Sequence, residues 1–410
     1  MREFLQRNPR FLRFWMATWA SELGDWVRNI TMTFLVLDLT NGSAVSLSVN
    51  LFCEFAPIFL FGLFVGALAD RWNRKKTIMG AFTFRAIIML CLIVAYLTGS
   101  LYLIYACAFV SAFGTLFFRS SSMAFLMLFV EPDDRKLAAS MRQTSNSTMM
   151  LLGPSLGASF YLGVGTAGSL AVTITLFLTA ALLISTIQVE QPVSTSQRTF
   201  GGIWKDVQNG FHYSWNNPYV RPLLFINIMY GMAAGLINVL EVFIITDFLD
   251  LPKEMMAMLA SVQGGGMFLA SLFIGKWKLP MHRMVPGGMM VAGVFLAGMV
   301  AYDSFYATAG SLVLFSVGLM MVNIGMAALL QNKVDFSYQG RAGMSISTTF
   351  NGVMVTTMLM SGWLHQTFTI RPVIMISGLL AALSGLVLYG VFDRIVRREN
   401  DLLPAKSEAA

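Results

Sequence analysis

Long apolar runs recur along the whole chain, separated by short polar segments. Twelve runs of about 20 residues, enough to cross roughly 30 Å of hydrocarbon, fall at 14–37, 44–68, 77–98, 102–127, 138–162, 168–188, 222–245, 255–275, 285–303, 308–330, 343–364 and 371–392. Each predicts a membrane-spanning helix, and the Ser- and Thr-rich run at 343–364 is the weakest. No small-residue cleavage site follows the first run, so it is expected to stay as a helix. The longest polar interval divides six runs from six. It starts as a linker, "VEQPVSTSQRTFGG", and continues with Trp204, Val207, Phe211 and Trp215 at helical spacing, which predicts a short amphipathic helix on the membrane surface. The expected organisation is an N-terminal six-helix bundle over 1–188, a linker over 189–221, a C-terminal six-helix bundle over 222–392 and a tail over 393–410. The expected fold is therefore an all-α integral membrane protein of twelve transmembrane helices in two six-helix bundles.

Composition agrees with that pattern. Hydrophobic residues make up 56% of the 410 and charged residues 12%, half the share a soluble domain uses to cover its surface. The net charge of +7 would suit nucleic acid if it lay on one face, but its placement argues otherwise. With the N-terminus in the cytoplasm, 23 of the 28 Lys and Arg residues fall in segments on that side; only Lys253 and Arg371 lie in outer loops, and Arg28, Arg85 and Arg119 lie inside spans. Positive charge marks the cytoplasmic side, so both termini are expected there, in a multi-pass protein of the cell membrane. Cys53, Cys91 and Cys107 lie in apolar runs, where a small buried thiol is the expected reading, and His212, His282 and His365 have no metal-binding spacing. No metal, cofactor or nucleic acid is expected. The sequence GxxxxGK[ST] is absent, which leaves no support for intrinsic ATP-driven pumping.

One polar loop carries more than topology. "GALADRWNRKK" follows the second run, and "SLFIGKWKLPMHR" ends the eighth with Gly275 opposite Gly66 but with no acid. Such an echo between halves fits a repeated transporter architecture. Gly66, Leu68, Asp70, Arg71, Arg74 and Lys75 resemble the loop between spans two and three of the major facilitator superfamily, with Asn73 in place of the usual glycine. Asn tolerates left-handed backbone, so that turn is expected to persist. The resemblance implies a conformational gate in which Gly66 allows close helix approach, and Asp70, Arg71 and Arg74 hold one state of the transporter. "SELGDWVRNITMTFLVLDLTNGSA", "VEPDDRKLAASMRQTSNSTMMLLGPSLGA", "KDVQNGFHYSWNNPYVRPLL" and "YQGRAGMSIS" extend the likeness to the drug-efflux branch that includes macrolide and enterobactin exporters. Within it, Gly153, Pro154 and Gly157 are implied helix-packing residues. The chain departs from that branch at Phe118-Arg119-Ser120-Ser121, and it lacks the span-four arginine motif in its usual spacing.

Charges inside spans are costly, about 2.5–3.5 kcal/mol at bilayer depth by insertion scales, and mark functional positions. Glu22, Asp25 and Arg28 follow at steps of three in span one; Glu54, Arg85 and Arg119 lie in spans two to four. Asp25 and Arg28 are spaced to neutralise each other along one helix face, which leaves Glu22 without a partner on its own helix. Glu22, Asp25 and Glu54 are the candidate proton-coupling acids. Arg28, Arg85 and Arg119 are candidate charge partners or substrate contacts, and Arg119 would pair with an acid or attract an anionic substrate. Glu241 and Asp247 read as solvated residues near the outer end of span seven. The 29 Met residues suit an adaptable apolar cavity as well as lipid-facing surface. The expected function is secondary active export of hydrophobic or amphipathic small molecules, drugs such as macrolides, by a monomer in the lipid bilayer that exchanges them for protons. The alternatives are export of a defined metabolite such as a siderophore, lysolipid movement, and a non-transporting receptor or scaffold.

Overall fold

The computed structural model describes every residue except Met1, Asp70, 190–199, Gly275, Lys276, Lys278 and 408–410. The predicted linker stretch at 190–199, the acid of the gate motif and the glycine paired with Gly66 thus lie outside the described residues. Among those described, every regular element is helical. The chain runs through α1 (Arg2–Arg7), α2 (Pro9–Leu39), α3 (Ala44–Ala69), α4 (Arg74–Thr98), α5 (Leu101–Leu126), a 3₁₀ turn (Pro132–Asp134) and α6 (Arg135–Ser185). It continues through α7 (Phe200–Asn216), α8 (Val220–Phe243), a π turn (Ile244–Phe248), α9 (Met255–Ile274), α10 (Met281–Gly298), α11 (Phe305–Lys333), α12 (Phe336–Thr367) and α13 (Ile370–Ser407).

Twelve passes follow from these elements. Eight described helices are long and apolar enough to cross a membrane by length and composition alone. One of them is α6, which holds two passes because Gly165 breaks it at φ 67° and ψ −175°, a conformation that side chains other than hydrogen rarely tolerate. The other three are α2, whose ionisable residues lower its apolarity, the 18-residue α10, and α12 with its many hydroxyls.

Two compact units divide the chain. The first comprises Met1–Phe200 with Lys253–Ser261, and the second Gly201–Pro252 with Val262–Ala410. In the first unit α6 packs along α2, while α4 and α5 pack on each other and on α6 and α3. The core at one end gathers Phe11, Phe14, Phe82 and Phe125, all fully buried. In the second unit α10 lies between α11 and α13, and α12 packs on α8.

Asn73 takes a different part from the one expected. Its φ of −65° and ψ of 110° are extended, and its side chain caps α4 by accepting from the Lys76 amide at 3.0 Å. A capping side chain here supplies the partner that a left-handed turn would have placed elsewhere. The neighbouring bases also meet backbone: Arg74 donates to the Ala124 carbonyl near the end of α5 at 3.2 Å, and Lys75 donates to the Ser185 carbonyl at the end of α6 at 2.6 Å. Both arrangements place positive charge on the unsatisfied carbonyls that every helix C-terminus leaves.

Candidate functional site

Within the first unit, α2, α3, α5 and α6 enclose a polar chamber of about 500 Å³. Glu22, Asp25 and Arg28 reach it from α2, Glu54 from α3, Arg119 from α5 and Arg142 from α6. The three candidate acids and two of the three candidate arginines therefore share one cavity. Arg85 stands behind it on α4, with no exposed surface at all.

The ion pairs cross between helices instead of running along one. Arg85 binds Asp25 through Nη2 and donates from Nη1 to Ser21 Oγ at 3.4 Å. Arg28 binds Glu54 through Nη2 and donates from Nη1 to Ser111 Oγ at 3.0 Å and from Nε to Asn29 Oδ1 at 3.1 Å. The expected Asp25–Arg28 pairing survives only as a longer approach of 3.8 Å. A step of three brings two charges to neighbouring positions on a helix surface, but the partners on α3 and α4 meet them directly, each guanidinium also donating to a hydroxyl while Arg85 Nε is left buried without a partner. A buried charge is tolerated when paired and hydrogen-bonded in this way.

Arg85 fits because one neighbour, Gly114, is a glycine, and a second glycine makes room for the ring that Arg85 stacks on. A methyl group on Gly114 would strike Arg85 Cγ, and one on Gly24 would come within 2.9 Å of Phe177 Cε1. Phe177 in turn lies under the Arg85 guanidinium, 4.0 Å from ring centroid to Cζ, a cation–π arrangement.

Glu22 is the exception in the chamber. Its Oε2 is buried with no hydrogen-bond partner, and the charges nearest in effect are Asp25 and Arg142. Arg142 donates to Met123 Sδ at 3.5 Å and lies 5.8 Å from the Phe14 ring, without an ion pair among the described residues. Arg119 is exposed at the chamber wall and likewise has no ion pair there, so the pairing expected for it is absent. Four arginines and three acids thus surround this space. Arg142 was legible in sequence only as a topology-setting base, since its position at the start of a long helix hides that it turns inward.

The remaining expected residues fall elsewhere. Trp72 and Arg71 line a separate 600 Å³ cavity beside α4 and α5, with Trp72 stacked on Phe117 at 5.2 Å. No described atom lies within 4 Å of a Cβ placed on Gly66, so the close helix approach expected there is not seen. Gly153 and Gly157 do meet a neighbour: their missing side chains leave room for the Trp26 ring and backbone, 2.8 Å from the Trp26 carbonyl oxygen at Gly157. Pro154 is buried between them. In the second unit, Asp247 binds His365 at 3.2 Å and is partly exposed, as expected for an outer position. Glu241 is not solvated as expected: its Oε1 is sealed, with no partner. It follows a run of apolar residues on α8 that packs inward, a feature that hydropathy alone does not separate from the lipid side.

A family model described as the Major Facilitator Superfamily matches residues 14–354. The chain is 20% identical over 386 residues to macrolide efflux protein A of Streptococcus pyogenes, covering 93% of this chain and 95% of that one. It is 25% identical over 307 residues to the uncharacterised MFS-type transporter YkuC of Bacillus subtilis, covering 72% and 70%. Among solved structures it matches the nucleoside transporter NupG with a TM-score of 0.72 at 14% identity, over 93% of this chain and 99% of that one. It matches a bacterial homologue of the iron transporter ferroportin in its inward-facing state with a TM-score of 0.73 at 13% identity, over 94% and 98%. The chain belongs to the major facilitator superfamily: it is a multi-pass membrane transporter and not an enzyme.

Proposed function

We propose that this facilitator exports neutral or anionic amphipathic compounds across the cell membrane by alternating access, driven by protons moving inward, and that Glu22 carries the proton. The carrying observation is the Glu22 carboxyl, whose sealed oxygen has no partner while Asp25 and Glu54 are each held by an arginine. An ionised carboxylate in that position has no hydrogen bond or ion pair to offset its desolvation, only the more distant charge of Arg142. A proton removes the cost, and a change in the chamber's hydration returns it. The sequence relatives named for macrolide efflux support export of an apolar compound. With four arginines against three acids around the chamber, the excess positive charge favours neutral or anionic forms of such a compound. Both termini are assigned to the cytoplasm on the distribution of Lys and Arg, and Asp70 with Arg71 and Arg74 is assigned the gate.

The test is substrate-dependent proton flux in liposomes, run with a panel of drugs and siderophores. At least one compound should dissipate an imposed proton gradient, and Glu22→Gln should abolish that flux while the purified protein keeps its helix content. If no compound moves protons, or Glu22→Gln exports as well as the parent, the proton-coupled reading fails.

A further inference from the structure

A second buried acid lies far along the sequence from the chamber. Glu241 occupies the last turn of α8, between Leu240 and Val242, with Phe243 following, and these three apolar neighbours are at most 2% exposed. Its Oε1 is buried and accepts no hydrogen bond, yet the residue as a whole keeps partial exposure. One oxygen is thus sealed, while the residue as a whole is not.

On the elements packed against α8, charged groups bind partners other than Glu241. On the π turn, Asp247 pairs with His365 of α12 at 3.2 Å, and His365 packs its ring on Phe243 at 4.7 Å. On α13, Arg371 donates to the Ala301 carbonyl at 2.8 Å and lies 5.9 Å from the Phe248 ring. On α10, the ionisable residues His282 and Arg283 lie in its first turn, in the segment assigned to the cytoplasm and so away from the outer end of α8, and Arg283 binds Asp393 at 3.1 Å. Lower on α8 itself, Tyr230 accepts from Asn323 at 3.5 Å. Among the described residues Glu241 makes no ion pair, its Oε1 has no hydrogen-bond partner, and no group of three metal-ligating residues exists. A lone carboxyl without a cation beside it and without co-ligands suits one occupant, a proton.

The backbone next to it is irregular. α8 passes into a π turn at Ile244–Phe248, with the Leu249 amide bonded to the Ile244 carbonyl at 3.0 Å and Asp250 in left-handed backbone at φ 51°. π turns concentrate at functional sites because the widened turn loosens the local hydrogen-bond ladder. Here the loosened turn begins at Ile244, after Val242 and Phe243, where a small change in helix geometry would open or seal the carboxyl.

We infer that Glu241 is a second proton-binding site, in the C-terminal unit, that loads and unloads during the transport cycle. Its use in the cycle rests on the proton-coupled reading above; its existence as a site does not. Infrared spectroscopy of the full-length protein in lipid separates the two. The carbonyl stretch of neutral carboxylic acids should lose one component in Glu241→Gln and a different one in Glu22→Gln. Glu241→Asp, which keeps the acid, should shift the component without removing it, and this serves as the control if the Gln variant folds poorly. In liposomes, protons moved per substrate should fall about two-fold in Glu241→Gln, as expected when one of two linked sites is removed. An unchanged spectrum in Glu241→Gln overturns the site, and an unchanged proton count overturns its part in the cycle. Absence of proton movement in the parent protein would sink the proton-coupled reading while leaving the spectral test of the site intact.

Discussion

The Arg85–Asp25 pair is where the site's energetics are most exposed to test. Removing one partner from a buried pair costs about 3–5 kcal/mol because the other charge is stranded. The two partners are unequal: Arg85 has no exposed surface, whereas the Asp25 side chain retains 30%. A guanidinium also cannot shed its charge, whereas a carboxyl can take up a proton. Asp25→Asn strands a cation that still has Arg28 nearby, since Arg28 and Asp25 are 3.8 Å apart, so it belongs at the upper end, about 5 kcal/mol. Arg85→Met strands an acid with partial access to water, and it belongs near the lower end, about 3 kcal/mol. The double variant leaves neither charge, and replacing a pair by neutral groups of similar volume is often close to neutral; it should cost less than either single change. The assay is reversible unfolding of the purified protein in mixed micelles, followed by tryptophan fluorescence, for the parent and all three variants. Costs of the single changes that add to within about 0.5 kcal/mol in the double variant, or an Arg85→Met cost above that of Asp25→Asn, would refute the reasoning.

Three further outcomes follow from the same geometry. Gly114→Ala drives a methyl group into Arg85 Cγ and should cost about 1–3 kcal/mol by overpacking; a change below half of that in the same unfolding assay would show that α4 and α5 separate easily. Arg119→Gln should reduce export of an anionic amphiphile about five-fold relative to its neutral analogue, the effect of about 1 kcal/mol of lost attraction at a partly hydrated position, and equal losses for both compounds would remove Arg119 from substrate recognition. Asp70→Asn should insert normally and export poorly, and normal export by that variant would remove the gate assignment.

Most of the fold was legible because one physical demand dominates it: a chain in hydrocarbon must satisfy its backbone within helices, and runs of apolar residues report that demand directly. The breaks were legible for a similar reason. Asn41 and Gly42, at φ 51° and 80°, and Gly99, at φ 63°, are residue types that allow a left-handed turn between two spans. The gate loop was less legible, because its resemblance to a family motif says which residues recur and not which atoms they touch; Lys75 holds a helix end through the Ser185 carbonyl, a contact between residues 110 positions apart.

The candidate site shows where one-dimensional spacing stops carrying information. Steps of three along α2 identified Glu22, Asp25 and Arg28 as one face, and the chamber does collect them. Spacing could not decide who pairs with whom, because that depends on Arg85 and Glu54 arriving from other helices. With Asp25 and Arg28 paired along one helix, Glu22 and Glu54 would both remain unpaired candidates for the proton. With the pairs crossed, Asp25 and Glu54 are each committed to a buried arginine, and displacing either proton-free acid would strand a charge at a cost of several kcal/mol. Glu22 can gain or lose a proton without breaking a pair. The same criterion, a sealed carboxyl oxygen whose neighbours are otherwise engaged, picks Glu241 out of a helix that hydropathy treats as uniform. On the proposed reading, two such acids in two units, each beside pairs that would resist change, would confine proton exchange to positions where protonation alters local charge without dismantling the fold.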